Sequence, residues 1–216
     1  MMAERVDDSG VFMTGLKILQ GSPWRKAGLL AWPVIAALVT GCGTKASNDT
    51  FDLAITPSGN GPAAHSRQIL VTEPTALKSL DSEQVIVRVS TSEIQYLADS
   101  RWSDRLPRMV QSKLIEAFEE SGKLGGVGRP GQGLAIDYQV VSDIRSFEVD
   151  TSGADTAKVE ISVTIINDRN GTVRGQQAFS ASAPVSGSAN RNFIAALDRA
   201  FAKVGAEIVE WSLRMM

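Results

Sequence analysis

The chain is poor in the residues most chemistry depends on. Its single cysteine, Cys42, excludes an intramolecular disulfide. Its single histidine, His65, follows a Gly- and Pro-rich stretch, where a solvated loop side chain is the ordinary reading, so it is not taken as a catalyst or a metal ligand. Neither sign of charge is in excess: 22 Lys+Arg stand against 24 Asp+Glu, and the sequence pI of about 5.5 lacks the basic balance of a nucleic-acid binder. No G-x-x-x-x-G-K-[ST] and no G-x-S-x-G occurs. The stretch Gly126-Val127-Gly128-Arg129-Pro130-Gly131 matches G-x-G-x-x-G, but a helical pattern precedes it and a strand pattern follows. A dinucleotide site needs the reverse order, so that phosphate meets a helix N-terminus, and the stretch is read as a loop. No apolar run reaches the roughly 20 residues of a membrane-spanning helix.

What is present begins at Trp24. Arg25 and Lys26 precede an apolar run over residues 27–39, interrupted by Gly28 and Pro33, which has the length of a secretory h-region. It ends in Leu38-Val39-Thr40-Gly41-Cys42, which resembles the lipobox of bacterial lipoproteins. That resemblance implies that the peptide is cut between Gly41 and Cys42 and that the Cys42 thiol carries diacylglycerol. Each buried methylene of such a palmitate-type anchor contributes about 0.8 kcal/mol, so two or three chains hold a protein at a bilayer without inserting it. Gly43 in place of aspartate goes with outer-membrane sorting in enteric bacteria. Glu4, Asp7 and Asp8 are out of place in a basic n-region, and Met13 offers a second start, so residues 1–12 are expected not to be translated. The expected organisation is a signal peptide over 1–41, a lipidated cysteine and flexible tether with a short strand over 42–68, and one periplasmic domain over 69–216.

Periodicity assigns the elements. Phe51, Leu53 and Ile55 alternate as a short half-buried strand. Residues 69–71 and 85–89 are β-branched strands, and Ile94 and Tyr96 belong to a third extended piece. Residues 101–122 predict a helix with the apolar stripe Leu106, Met109, Val110, Leu114, Ala117 and Phe118, capped by Ser103 or Asp104 and ended by Gly122. Leu134, Ile136, Tyr138 and Val140 alternate, then parity changes toward Phe147 and Val149, which predicts a bulge near residues 141–144. Val159, Ile161, Val163 and Ile165 face in, and Asn170-Gly171 turns the chain into a return strand with Val173, Phe179, Ala181 and Ala183. A last helix opens at Asn190 or Asn192 and runs to about Trp211. These elements predict an α+β fold: a two-layer sandwich, a mainly antiparallel sheet with two amphipathic helices on one face.

The order of segments Ile69-Leu70-Val71-Thr72-Glu73-Pro74, Ile94-Gln95-Tyr96, Arg101-Trp102-Ser103-Asp104-Arg105-Leu106-Pro107 and Asp143-Ile144-Arg145-Ser146-Phe147-Glu148 resembles the ABC-type transport auxiliary lipoprotein family. That resemblance implies a non-enzymatic docking or adaptor component of an MCE-type intermembrane lipid or sterol transporter. Its implied partners are an MCE-domain protein, an ABC permease and an ATPase; it implies no cofactor and leaves a homo-oligomer open. It makes Tyr96, Trp102, Arg101 and Arg105 candidates for a partner contact, against the alternative that they pack the start of a helix. Two other classes stand beside it: a lipid carrier, which needs an internal apolar cavity, and an envelope hydrolase built on carboxylates such as Glu116, Glu119, Asp137 or Asp143.

Overall fold

The structure, a computed structural model, describes residues 48–55 and 60–216. The expected signal peptide over 1–41 and Cys42 lie outside them. In chain order the elements are β1 (Asp49–Phe51), β2 (Ala64–Val71), β3 (Thr75–Ala76), β4 (Gln84–Arg88), β5 (Ile94–Trp102), α1 (Leu106–Glu120), β6 (Leu124–Gly128), β7 (Tyr138–Asp150), β8 (Thr156–Asn167), β9 (Val173–Pro184) and α2 (Asn190–Met215).

Strand β7 is the spine of the sheet. Along one edge it pairs antiparallel with β8 from end to end, and β8 pairs antiparallel with β9, as the short joins between them require. Its other edge is divided among β2, β3 and β4 in succession, all parallel. Outside these, β6 flanks β2, β5 flanks β4 and β1 flanks β5. The α+β sandwich is as expected. The long ladders are antiparallel, but five short parallel pairings make the sheet mixed, because β2, β3 and β4 meet β7 only after long excursions of chain.

Strand β8 shows why the pattern works. Val159, Ile161, Val163 and Ile165 are at most 1% exposed, whereas Lys158 faces water. In β7 the bulge falls between Ile144 and Ser146, slightly later than expected; it moves the core face from Tyr138, Val140 and Ile144 to Phe147 and Val149. A second irregularity, opposite Ile165 and Ile166, turns Val173 out of the apolar row to 59% exposure.

Helix α1 starts at Leu106, not at residue 101. Arg101 and Trp102 finish β5 instead, where the Trp102 N–H donates to the Glu83 carbonyl at 2.7 Å. Neither Ser103 nor Asp104 caps the helix: Arg105 holds the N-cap position without a side-chain cap, and Pro107 fills the first turn. Gly122, at φ +63°, ends it as expected. Helix α2 runs one turn past Trp211 and buries Leu197, Ala200, Phe201, Val204 and Ile208. The centre of the core is aromatic: Trp102 meets Phe147 edge-on at 5.8 Å, and Phe147 lies 5.8 Å from Phe201.

Two further expectations change. The domain begins before residue 69, because β2 starts at Ala64, Leu53 is 2% exposed, and Ile55 packs on Gly205 of α2. The glycine-rich stretch is half strand, not all loop: residues through Gly128 are β6, paired parallel with β2, and the strand expected next is β7. Glycine is required there, since a Cβ on Gly125 would lie 2.3 Å from the His65 carbonyl oxygen. Gly125→Ala is therefore expected to spread β2 from β6 and cost about 1–3 kcal/mol, read as a lowered urea midpoint.

Candidate functional site

The four contact candidates part company in the fold. Trp102 is 1% exposed and belongs to the core, so it presents nothing to a partner. Arg105 is occupied: its Nε donates to Asp81 at 2.7 Å and its Nη1 lies 3.2 Å from Glu73, which fastens two loops to the start of α1. The Asp81 hydrogen bond comes first among the causes that raise the Arg105 pKa. It is a staple for the helix start.

Tyr96 and Arg101 do come together. They stand opposite Ile86 and Gln84 of β4, on the sheet face away from the core, and line one groove of about 370 Å³ with Asn48 and Glu83. Tyr96 is 47% exposed and Ile94 36%. Arg101 reaches Glu83 at 3.8 Å and Thr50 Oγ1 at 3.3 Å, exposed contacts that hold it only loosely. Between Tyr96 and Arg101 strand β5 bulges, with Asp99 at φ 52°. The bulge is pinned from α2, where Asn190 Nδ2 donates to the Ala98 carbonyl and to Ser100 Oγ, both at 2.8 Å.

The carboxylates considered for hydrolysis are dispersed. Glu116 pairs with Lys113 at 3.0 Å on α1, Glu119 is exposed, and Asp143 accepts from Thr75 at 2.9 Å. Asp137 is the most constrained: it accepts from the Gln68 N–H at 3.0 Å and from Arg169 at 2.8 Å, with Arg67 at 3.6 Å. The Gln68 N–H, followed by the two guanidinium groups, holds its carboxyl below the ordinary range. Asp137→Asn is expected to destabilise the fold at neutral pH. A depressed folded pKa stabilises above the unfolded value of about 3.9 and is lost as pH falls through the folded value. The gap between variant and parent in urea midpoint should thus close below about pH 4.

A second cleft, of about 430 Å³, lies along α1 between Asp52 and Arg129. Its charges are mostly paired: Arg108 with Asp104 at 3.3 Å, and Lys113 with Asp52 at 3.9 Å. Beneath it Asp198 accepts from the Ala54 N–H at 3.2 Å, and burial pushes its carboxyl up. Among the described residues no group of three His, Cys, Asp or Glu could hold a metal ion, and no helix is long and apolar enough to cross a membrane. Sequence reading missed the bidentate Arg88–Glu148 pair, with Nε–Oε1 at 2.6 Å and Nη2–Oε2 at 2.8 Å. Nothing local marks it, since the partners are 60 positions apart.

Against known proteins, residues 51–209 match the model of the ABC-type transport auxiliary lipoprotein component, and the chain belongs to that family. An uncharacterized protein of Bradyrhizobium diazoefficiens is 31% identical over 177 residues; the match takes in 81% of this chain and 47% of that one. The chain thus spans about half the length of this curated relative. A crystal structure of a Xanthomonas campestris protein superposes with TM-score 0.71 at 25% identity, over 77% of this chain and 96% of that one. A further crystal structure, at TM-score 0.60 and 15% identity, covers 76% of this chain and 97% of that one and shares the fold. Membership places the protein among lipoproteins that serve ABC transport, at a membrane of the cell envelope.

Proposed function

We propose that the protein is acylated on Cys42 after cleavage behind Gly41, is held at the periplasmic face of the outer membrane, and acts without catalysis as a docking component of an MCE-type ABC lipid transporter. The family match over residues 51–209 carries this reading. The carboxylates support a non-enzymatic role: Glu119 and Asp143 are exposed, and Glu116 and Asp137 are held by cations. The aromatic core of Trp102, Phe147 and Phe201 supports docking over carriage, because it fills the layer between sheet and helices where an apolar cargo would sit. Crosslinking in the native envelope followed by identification of neighbours tests it. An MCE-domain protein or a permease subunit among the adducts is expected; repeated recovery without any transporter subunit would overturn the proposal.

A further inference from the structure

The register of the sheet defines two ends. One row of pairs runs Ile94 to Arg88, Arg88 to Asp150, Asp150 to Thr156 and Thr156 to Pro184, so three connecting segments, 89–93, 151–155 and 185–189, project from the same end. Their tips, residues 90–92, 152–154 and 186–188, are built of Ser, Thr, Gly and Ala without a charge. The opposite end carries the hairpin from Asn167 to Val173 and the Asp137, Arg67 and Arg169 cluster. Strand β7, 13 residues long, puts about 40 Å between them.

The described chain enters β1 beside Ser100 and, followed upstream, heads for the first end. Asn48 lines the groove with Tyr96 and Arg101, and β1 runs parallel to β5, so its upstream side points toward Ile94. Five residues lie between Cys42 and Asn48, and six steps of no more than about 3.6 Å each allow roughly 20 Å, half the length of β7. We infer that this end rests on the bilayer surface, with the uncharged turns against the headgroups and Ile94 and Tyr96 at their level, and that the 167–173 hairpin faces away, toward the partner. An amphipathic ring such as Tyr96 suits that depth. Glu83 and Asp99 outnumber Arg101 in the groove, which fits the outward ammonium of phosphatidylethanolamine better than an anionic surface. Tyr96 and Arg101, candidates for a protein contact, are thereby assigned to lipid. This inference rests on the acylation of Cys42.

Acylation also makes the test simple, because it consumes the only native thiol and leaves an introduced cysteine as the sole labelling site. Processed, acylated Thr91→Cys, Ala154→Cys and Val173→Cys proteins would carry an environment-sensitive fluorophore on vesicles of phosphatidylethanolamine with a minority of phosphatidylglycerol and a headgroup spin label. Flotation is read first: protein that stays in solution refutes the anchor itself. For protein that floats, quenching several-fold greater at residues 91 and 154 than at 173 is expected. Equal quenching at the two ends, or more at 173, refutes the orientation while leaving the anchor standing.

Discussion

Trp102→Ala is expected to lower the free energy of unfolding by about 3–5 kcal/mol, the largest single-residue effect in the domain. Trp102 is 1% exposed and joins two layers: its indole meets Phe147 of β7 edge-on, and Phe147 in turn touches Phe201 of α2. Truncation removes both the buried area and the neighbour against which the Phe147 ring is set. The site cannot collapse easily, because the Trp102 backbone is fixed by its bond to Glu83 just before α1 begins. Tyr96→Ala, in the same strand but about half exposed, should stay within about 1 kcal/mol. Urea unfolding of the two variants checks this. A Trp102→Ala protein as stable as the Tyr96 variant would mean that the aromatic triad does not hold the layers together.

Arg88→Met should be the second most damaging change, at about 2–3 kcal/mol. Glu148 is 8% exposed, and its two oxygens are each met by one Arg88 nitrogen, so the pair ties β4 to β7 where those strands run parallel. Removing the guanidinium leaves a carboxylate with little water to replace it. The effect is set below that of a fully enclosed pair because the Arg88 side chain is 32% exposed. The double variant Arg88→Met/Glu148→Met should recover most of the loss, since the cost lies in the orphaned charge rather than in the missing contact. A double variant no more stable than the single one would contradict this.

How far the sequence was legible depends on the range of the forces involved. Period-two patterns such as Val159 to Ile165 and period-three-and-four patterns such as Leu197 to Ile208 are local, and both elements came out as expected. The start of α1 was misjudged because Arg101 and Trp102 read equally well as helix or strand; backbone bonds to β4 and to β1, far away in sequence, decided for strand. For the same reason β6 was invisible: Leu124 to Gly128 has almost no side chains to pattern, and only its docking against β2 makes it a strand. Among the site candidates, residue type identified Tyr96 and Arg101 as surface groups, but the same cues offered Trp102, whose burial depends on Phe147 some 45 positions on. Charge pairing escaped altogether, because Arg88 with Glu148 and Asp137 with Arg67 leave no periodic trace.

The division of one β7 edge among three earlier strands has a consequence for assembly. A chain emerging amino end first presents β2, β3 and β4 while their common template is still to come, and these pairings are long-range and slow to close. The β7 to β9 meander, by contrast, can zip up from its own turns once residue 184 is out. The amino half of the domain must therefore be kept from aggregating until the second half arrives, and a holdase at this stage would find its substrate in residues 64–102.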